Sequence, residues 1–183
     1  MLKLNLGCGL SKLEGFVNVD IDPEVNPDVV ADFTTHLPYE NDSVDWIVMF
    51  HVIEHIVAAK HPALLDEIWR VLKPSEGMLI IAYPEFVKVA QNFIDNKLGM
   101  RAYWTATIYG RQGSPGDFHV ALMYTPEFKA DLESAGFTDL DIREQHQDTF
   151  NTVIRARKGE RPESREDLMK REVDTYAGLV GSS

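Results

Sequence analysis

Three short apolar runs open the chain, and each ends in residues able to hold a ligand. Leu4-Asn5-Leu6 ends in Gly7-Cys8-Gly9, Phe16-Val17-Asn18-Val19 in Asp20-Ile21-Asp22, and Val29-Val30-Ala31 in Asp32-Phe33. Glycine at a strand end permits positive φ and lets a ligand approach the backbone closely. A carboxylate ending the next strand accepts both hydroxyls of a ribose. One ending a third strand accepts from an exocyclic amine, with an aromatic ring or its backbone beside a purine. In an open parallel sheet, ligands bind outside the carboxyl ends of the strands. This order of residues therefore points to a nucleoside-bearing cofactor. Each feature also has a plainer reading: a tight turn, a carboxylate facing water, a turn cap. Asp22 lies on the same strand face as Asp20, so only one of the two is best placed.

The dinucleotide fingerprint is incomplete, because Gly9 is followed by Leu10-Ser11-Lys12 and the third glycine is missing. Residues 10–16 are also too few for the long helix that would present its N-terminus to a pyrophosphate. The site suits a cofactor without a pyrophosphate.

A second group of candidates is His51-Val52-Ile53-Glu54-His55. It matches the H-x-x-E-H pattern of inverted zinc peptidases, and on a helix His51 and His55 would share a face. That reading needs a third ligand and a helix through the whole motif, whereas a buried strand runs straight into His51. Zinc hydrolysis through His51, Glu54 and His55 is thus a remote alternative. Glu54-His55 alone is thin for a magnesium site, and no metal site is expected. His55, and His119 in Asp117-Phe118-His119, are the candidate catalytic bases. An imidazole near its natural pKa can take a proton from an attacking hydroxyl or amine. Either residue could instead be structural. Tyr103, Trp104 and Tyr109 could clamp a substrate or pack a small core of their own. Cys8, in the glycine turn, is more a packing residue than a nucleophile.

The elements that must position these residues alternate between strand and helix, which predicts an α/β fold with a mostly parallel sheet. Strands are expected near 3–7, 16–20, 28–31, 45–50 and 78–82. Helices are expected after Pro62, where Leu64, Leu65, Ile68, Val71 and Leu72 recur at helical spacing, and from Thr125 to Gly136. Runs at 138–144 and 150–156 could pair as an antiparallel edge. Residues 86–123 form a long connection beside the ligand edge, and such connections are usually functional.

With 183 residues and 44% hydrophobic content, the chain reads as one domain with a real core. The expected division is a body over 1–157, with 86–123 as a substrate-side insertion, and a charged helical tail over 158–183 that could mediate a homodimer. A net charge of −11 argues against nucleic acid as partner. The apolar runs are too short for a membrane span. No signal peptide is read, and the single cysteine suits a reducing cytosol, so a cytoplasmic location is expected.

In order and spacing the set resembles the class I S-adenosylmethionine-dependent methyltransferases, as a small truncated subtype. The resemblance rests on residues 4–9, Val19-Asp20-Ile21-Asp22 and Ala31-Asp32-Phe33 with Leu37-Pro38-Tyr39. It continues through Ser43-Val44-Asp45-Trp46-Ile47-Val48, residues 51–55, and Glu67-Ile68-Trp69-Arg70-Val71-Leu72-Lys73-Pro74 with Gly77, and resumes at Ala135-Gly136-Phe137. It implies a three-layer Rossmann-like sheet of seven strands, mostly parallel with an antiparallel last strand, here with a shortened first crossover. It also implies S-adenosylmethionine as cofactor and a small-molecule or other non-nucleic-acid acceptor. Gly7, Cys8 and Gly9 would meet the methionine part, Asp20 and Ile21 the ribose side, Asp32 and Phe33 the adenine, and the backbone at His51 the sulfonium side. The chain departs from the family at Asn5, where an acid is usual, and in its nearly missing first helix and N-terminal cap. Those departures keep a second reading in view, a non-catalytic cofactor-binding protein of the same fold.

Overall fold

The computed structural model describes residues 1–95, 101–113, 115–144 and 150–161. Seven strands form one sheet: β1 (Lys3–Leu6), β2 (Val17–Asp20), β3 (Val29–Val30), β4 (Trp46–Phe50), β5 (Met78–Pro84), β6 (Phe137–Glu144) and β7 (Asn151–Lys158). Their order is β3-β2-β1-β4-β5-β7-β6. The first five are parallel, and β7 runs antiparallel to both β5 and β6. The late runs do pair as expected, but β7 slots between β5 and β6, so of these two only β6 is an edge. The reversal of order on either side of β1 and β4 is the switch point at which open α/β sheets bind ligands.

Among the described residues four α-helices accompany the sheet: α1 (His61–Val71), α2 (Phe86–Ile94), α3 (Arg101–Tyr109) and α4 (Thr125–Ser134). Pro62 sits in the first turn of α1, where its missing N–H is harmless. Leu64, Leu65, Ile68 and Val71 are buried along one stripe, and the helix ends at Val71, with Leu72 as its extended C-cap two residues before Pro74. One core joins that stripe and Phe128 and Leu132 of α4 to Leu4, Leu6, Val19, Ile47, Met49, Leu79, Ile81, Ile154 and Ala156. Alternate strand residues face the other way: Asn5 registers with Asn18 and Val48, and Trp46 with Lys3 and Met78.

The connections from β1 to β4 contain no α-helix. The first is held by side-chain amides instead. Asn5 is buried and donates to Asn18 Oδ1 at 3.0 Å and to the Ser11 carbonyl at 3.1 Å. Asn18 Oδ1 also accepts from Leu13 N at 2.8 Å, and its amide donates to Asp28 Oδ2 at 2.9 Å. These bonds satisfy main-chain groups that a helix would otherwise have satisfied internally. β7 carries the body to Lys158, whose ammonium is buried against the Leu72 carbonyl, and Arg161 still stacks on Trp69. The expected terminal helix lies outside the described residues.

Candidate functional site

Gly7 and Gly9 form the turn that leaves β1, with φ of +68° and +48°. A Cβ at Gly7 would come within 2.6 Å of the Val52 side chain, whereas one at Gly9 would meet nothing within 4 Å. Gly7 is glycine for the fold, and Gly9 keeps an open approach to the backbone. The N–H groups of Gly7 and Cys8 both donate to the Val19 carbonyl, at 2.8 and 3.2 Å. Gly9 N donates to Asp20 Oδ2 at 2.8 Å. With those three donors spent inside the protein, the turn makes a poor phosphate cradle. The Cys8 side chain is buried, and burial with the nearby Asp20 charge pushes its thiol above the usual value.

Asp20 ends β2 beside this turn, and its Oδ1 accepts from Asp22 N at 3.0 Å. Its carboxylate thus ties the β1 turn to the β2 end while both oxygens retain lone pairs. Asp22 caps the short 3₁₀ turn Pro23–Val25 through Glu24 N. Ile21 is 61% exposed at the same edge, an apolar surface open to a flat ligand. Asp32 Oδ1 accepts from Thr34 N and Thr34 Oγ1, so the turn-cap reading holds for one oxygen. The Phe33 ring packs in the core at 6% exposure, leaving its backbone as the part able to border a purine.

His51 follows β4 with φ +57° and donates its main-chain N–H to the Ala82 carbonyl. The motif that starts there continues as a 3₁₀ turn, Ile53–His55, not as an α-helix. The shared face required by the zinc-peptidase reading is therefore not built. What forms instead involves a distant segment. Residues 118–121 return across the turn: Val120 N and Ala121 N both donate to the Glu54 carbonyl, at 2.9 and 3.1 Å, and His55 Nδ1 lies 3.0 Å from the Phe118 carbonyl. This brings the His119 ring to 4.7 Å from that of His55, edge to face. The Glu54 carboxylate is 1% exposed; its Oε1 lies 3.3 Å from His51 Nδ1. Burial pushes the His119 imidazole below its usual pKa, opposed by the Glu54 charge. Glu54 and His119 share a small pocket with Pro84, Phe86, Thr107 and Met123, at the carboxyl ends of β4 and β5.

The two candidate bases are thus neighbours, and the residue that joins them is Glu54. The H-x-x-E-H spacing singles it out; its burial is not readable there. Of the insertion's aromatics, Trp104 packs with Val89, Phe150 and Tyr103 in a second small core, and Tyr109 is 59% exposed. Trp104 and Tyr103 thus serve the insertion's own packing.

Residues 4–81 match the family described as methyltransferase domain. No curated protein matches the sequence. Among solved structures, an S-adenosylmethionine-dependent methyltransferase from Archaeoglobus fulgidus is 18% identical with a TM-score of 0.62, covering 85% of each chain. One from Methanosarcina mazei is 17% identical with a TM-score of 0.61, over 86% of this chain and 92% of that one. A possible exported protein from Bordetella parapertussis is 19% identical with a TM-score of 0.61, over 87% of this chain. The chain spans 62% of the length of the Bordetella protein. At these identities the likeness is one of fold. The chain has the Rossmann-like fold of the class I methyltransferases. Within it, residues 4–81 carry the methyltransferase-domain pattern, which agrees with the order of glycines and carboxylates at the strand ends.

Proposed function

We propose that this chain is an S-adenosylmethionine-dependent methyltransferase acting on a small-molecule acceptor that enters between the 3₁₀ turn at 53–55 and residues 86–123. The observation that carries this reading is the β1 turn: open at Gly9, its donors spent, and tied to the Asp20 carboxylate. That set fits an amino-acid moiety and a ribose without a pyrophosphate between them. Bound there, the cofactor supplies an electrophilic methyl group on a sulfonium. Gly7, Cys8 and Gly9 border its methionine end with main-chain atoms. Asp20 accepts from the ribose hydroxyls, and Ile21 packs against the base. Asp32 and the Phe33 backbone border the adenine edge, and the His51 backbone borders the sulfonium side. Transfer to an aligned nucleophile rests chiefly on positioning. An acceptor that attacks through a hydroxyl or amine must lose a proton, and a neutral imidazole at His119 or His55 can receive it.

Calorimetry with S-adenosylhomocysteine tests the reading. A single site is expected, weakened by at least about tenfold in Asp20→Asn, which removes a charged acceptor. Absence of binding by the unmodified chain sinks the proposal. Binding without transfer of labelled methyl to any acceptor in a metabolite panel leaves a cofactor-binding protein in its place.

A further inference from the structure

We propose that Glu54, His55 and His119 form a binding site for one divalent transition cation of the zinc and cobalt class. The cation site does not depend on methyl transfer; its role toward an acceptor rests on that reading. One carboxylate oxygen and one ring nitrogen from each histidine lie within 4.8 Å of one another. Ligands sharing a tetrahedral zinc sit roughly 3.3 Å apart, given metal–ligand bonds of about 2.0 Å, so modest side-chain rotations close the set.

Three independent features aim these groups at a cation. First, Glu54 Oε2 is buried and has no hydrogen-bond partner, although the carboxylate's other oxygen faces His51. A buried carboxylate oxygen left unpaired is costly, and a cation between Glu54 and the two rings removes that cost. Second, His55 has its Nδ1 at 3.0 Å from the Phe118 carbonyl. That partner can only accept, so Nδ1 carries the proton and Nε2 keeps its lone pair. Metal-binding histidines usually donate their second N–H to a carbonyl or carboxylate, which fixes tautomer and ring orientation. Third, the rings stand edge to face, with an interplanar angle of 80°. They occupy different directions around a common point instead of stacking.

Two imidazoles and one carboxylate favour a borderline transition ion over magnesium, which prefers an all-oxygen octahedron. Three protein ligands leave a coordination position open. Glu54 and His119 line a pocket together with Phe86 and Thr107, so an oxygen- or nitrogen-bearing acceptor in that pocket is the chemical class such a position would hold. A cation there would take over from the free imidazoles the task of making the acceptor's proton labile.

The test uses the full chain, dialysed against chelator and titrated with Co²⁺ while its visible d–d absorption is followed. One equivalent should bind, be displaced by Zn²⁺, and give the intensity of a low-coordinate nitrogen–oxygen site. His119→Asn and His55→Gln should each weaken binding by at least about tenfold, with urea midpoints measured alongside to establish that the variants fold. His36→Asn, on an exposed histidine that meets Glu67 instead, should leave the titration unchanged. No saturable absorption, or a titration that survives both His119→Asn and His55→Gln, overturns the proposal. Calorimetry with S-adenosylhomocysteine on the same variants keeps the two readings separate, because loss of Co²⁺ binding with the cofactor analogue still bound is expected.

Discussion

The two glycines of the β1 turn have different reasons to be glycine, and substitution separates them. Gly7→Ala meets both an unfavourable φ of +68° and the Val52 side chain at 2.6 Å. It should lower the stability of the whole chain by about 1–3 kcal/mol, read as a shifted urea midpoint. Gly9→Ala meets only the unfavourable φ, with no atom within 4 Å. It should cost less stability yet weaken S-adenosylhomocysteine, because the new methyl group stands in the approach to the backbone. Equal effects of the two substitutions on the urea midpoint would contradict this division. The glycine spacing was plain in the sequence. That Gly7, Cys8 and Gly9 spend their N–H groups on Val19 and Asp20 was not, since it depends on how β2 registers against β1. Phe33 shows the same limit: its type suggested a stacking ring, but the core took the ring and left only its backbone at the edge.

Among the elements, the crossover at residues 10–16 is the least ordinary. Its length alone ruled out a long helix, but what replaces the helix became visible only in three dimensions. Asn18 bonds both to Leu13 and, across the sheet, to Asn5 and Asp28. Asn18→Ala removes partners from buried donors and acceptors at once. It should therefore cost about 1–3 kcal/mol or more, measured by urea unfolding, and it should loosen the β1 turn enough to weaken cofactor binding as well. Asn5→Asp tests the same network from the other side, because a carboxylate has no proton for Asn18 Oδ1 or the Ser11 carbonyl. Strands and the helices α1 and α4 were legible because apolar periodicity and proline marked them. The contact of residues 118–121 with Glu54 and His55 was not, because it joins segments more than sixty positions apart in sequence. No local pattern at His55 or His119 records that contact.

At the scale of the whole molecule, the chain answers to acid through its carboxylates. It carries 29 acidic and 18 basic side chains, so falling pH first removes net negative charge and then leaves a strongly positive chain that repels itself. Superimposed on that general response is one specific contact that joins α1 to the segment leading into β4. Glu67 accepts from Arg70 Nε at 2.8 Å and from Leu37 N at 2.7 Å, while Arg70 also donates to the Tyr39 and Leu37 carbonyls. The Arg70 guanidinium, with the Leu37 amide, holds the Glu67 carboxyl below its usual value of 4.5. A carboxyl whose pKa is depressed by folding contributes stability that is present in full above its unfolded pKa. That contribution is lost as pH falls through the folded value. Glu67→Gln removes the charge at every pH, so the variant should be less stable than the natural chain at neutral pH. The gap between them should narrow as pH drops below about 4.5, because the natural chain then loses the same charge. Urea unfolding of both proteins from pH 7 to pH 3 measures this difference directly. The repulsion common to both chains cancels in the comparison, leaving the Glu67 contribution as the part that changes with pH. A gap that stayed constant across the range would mean that Glu67 holds the α1–Leu37 junction by its hydrogen bonds alone, without its charge.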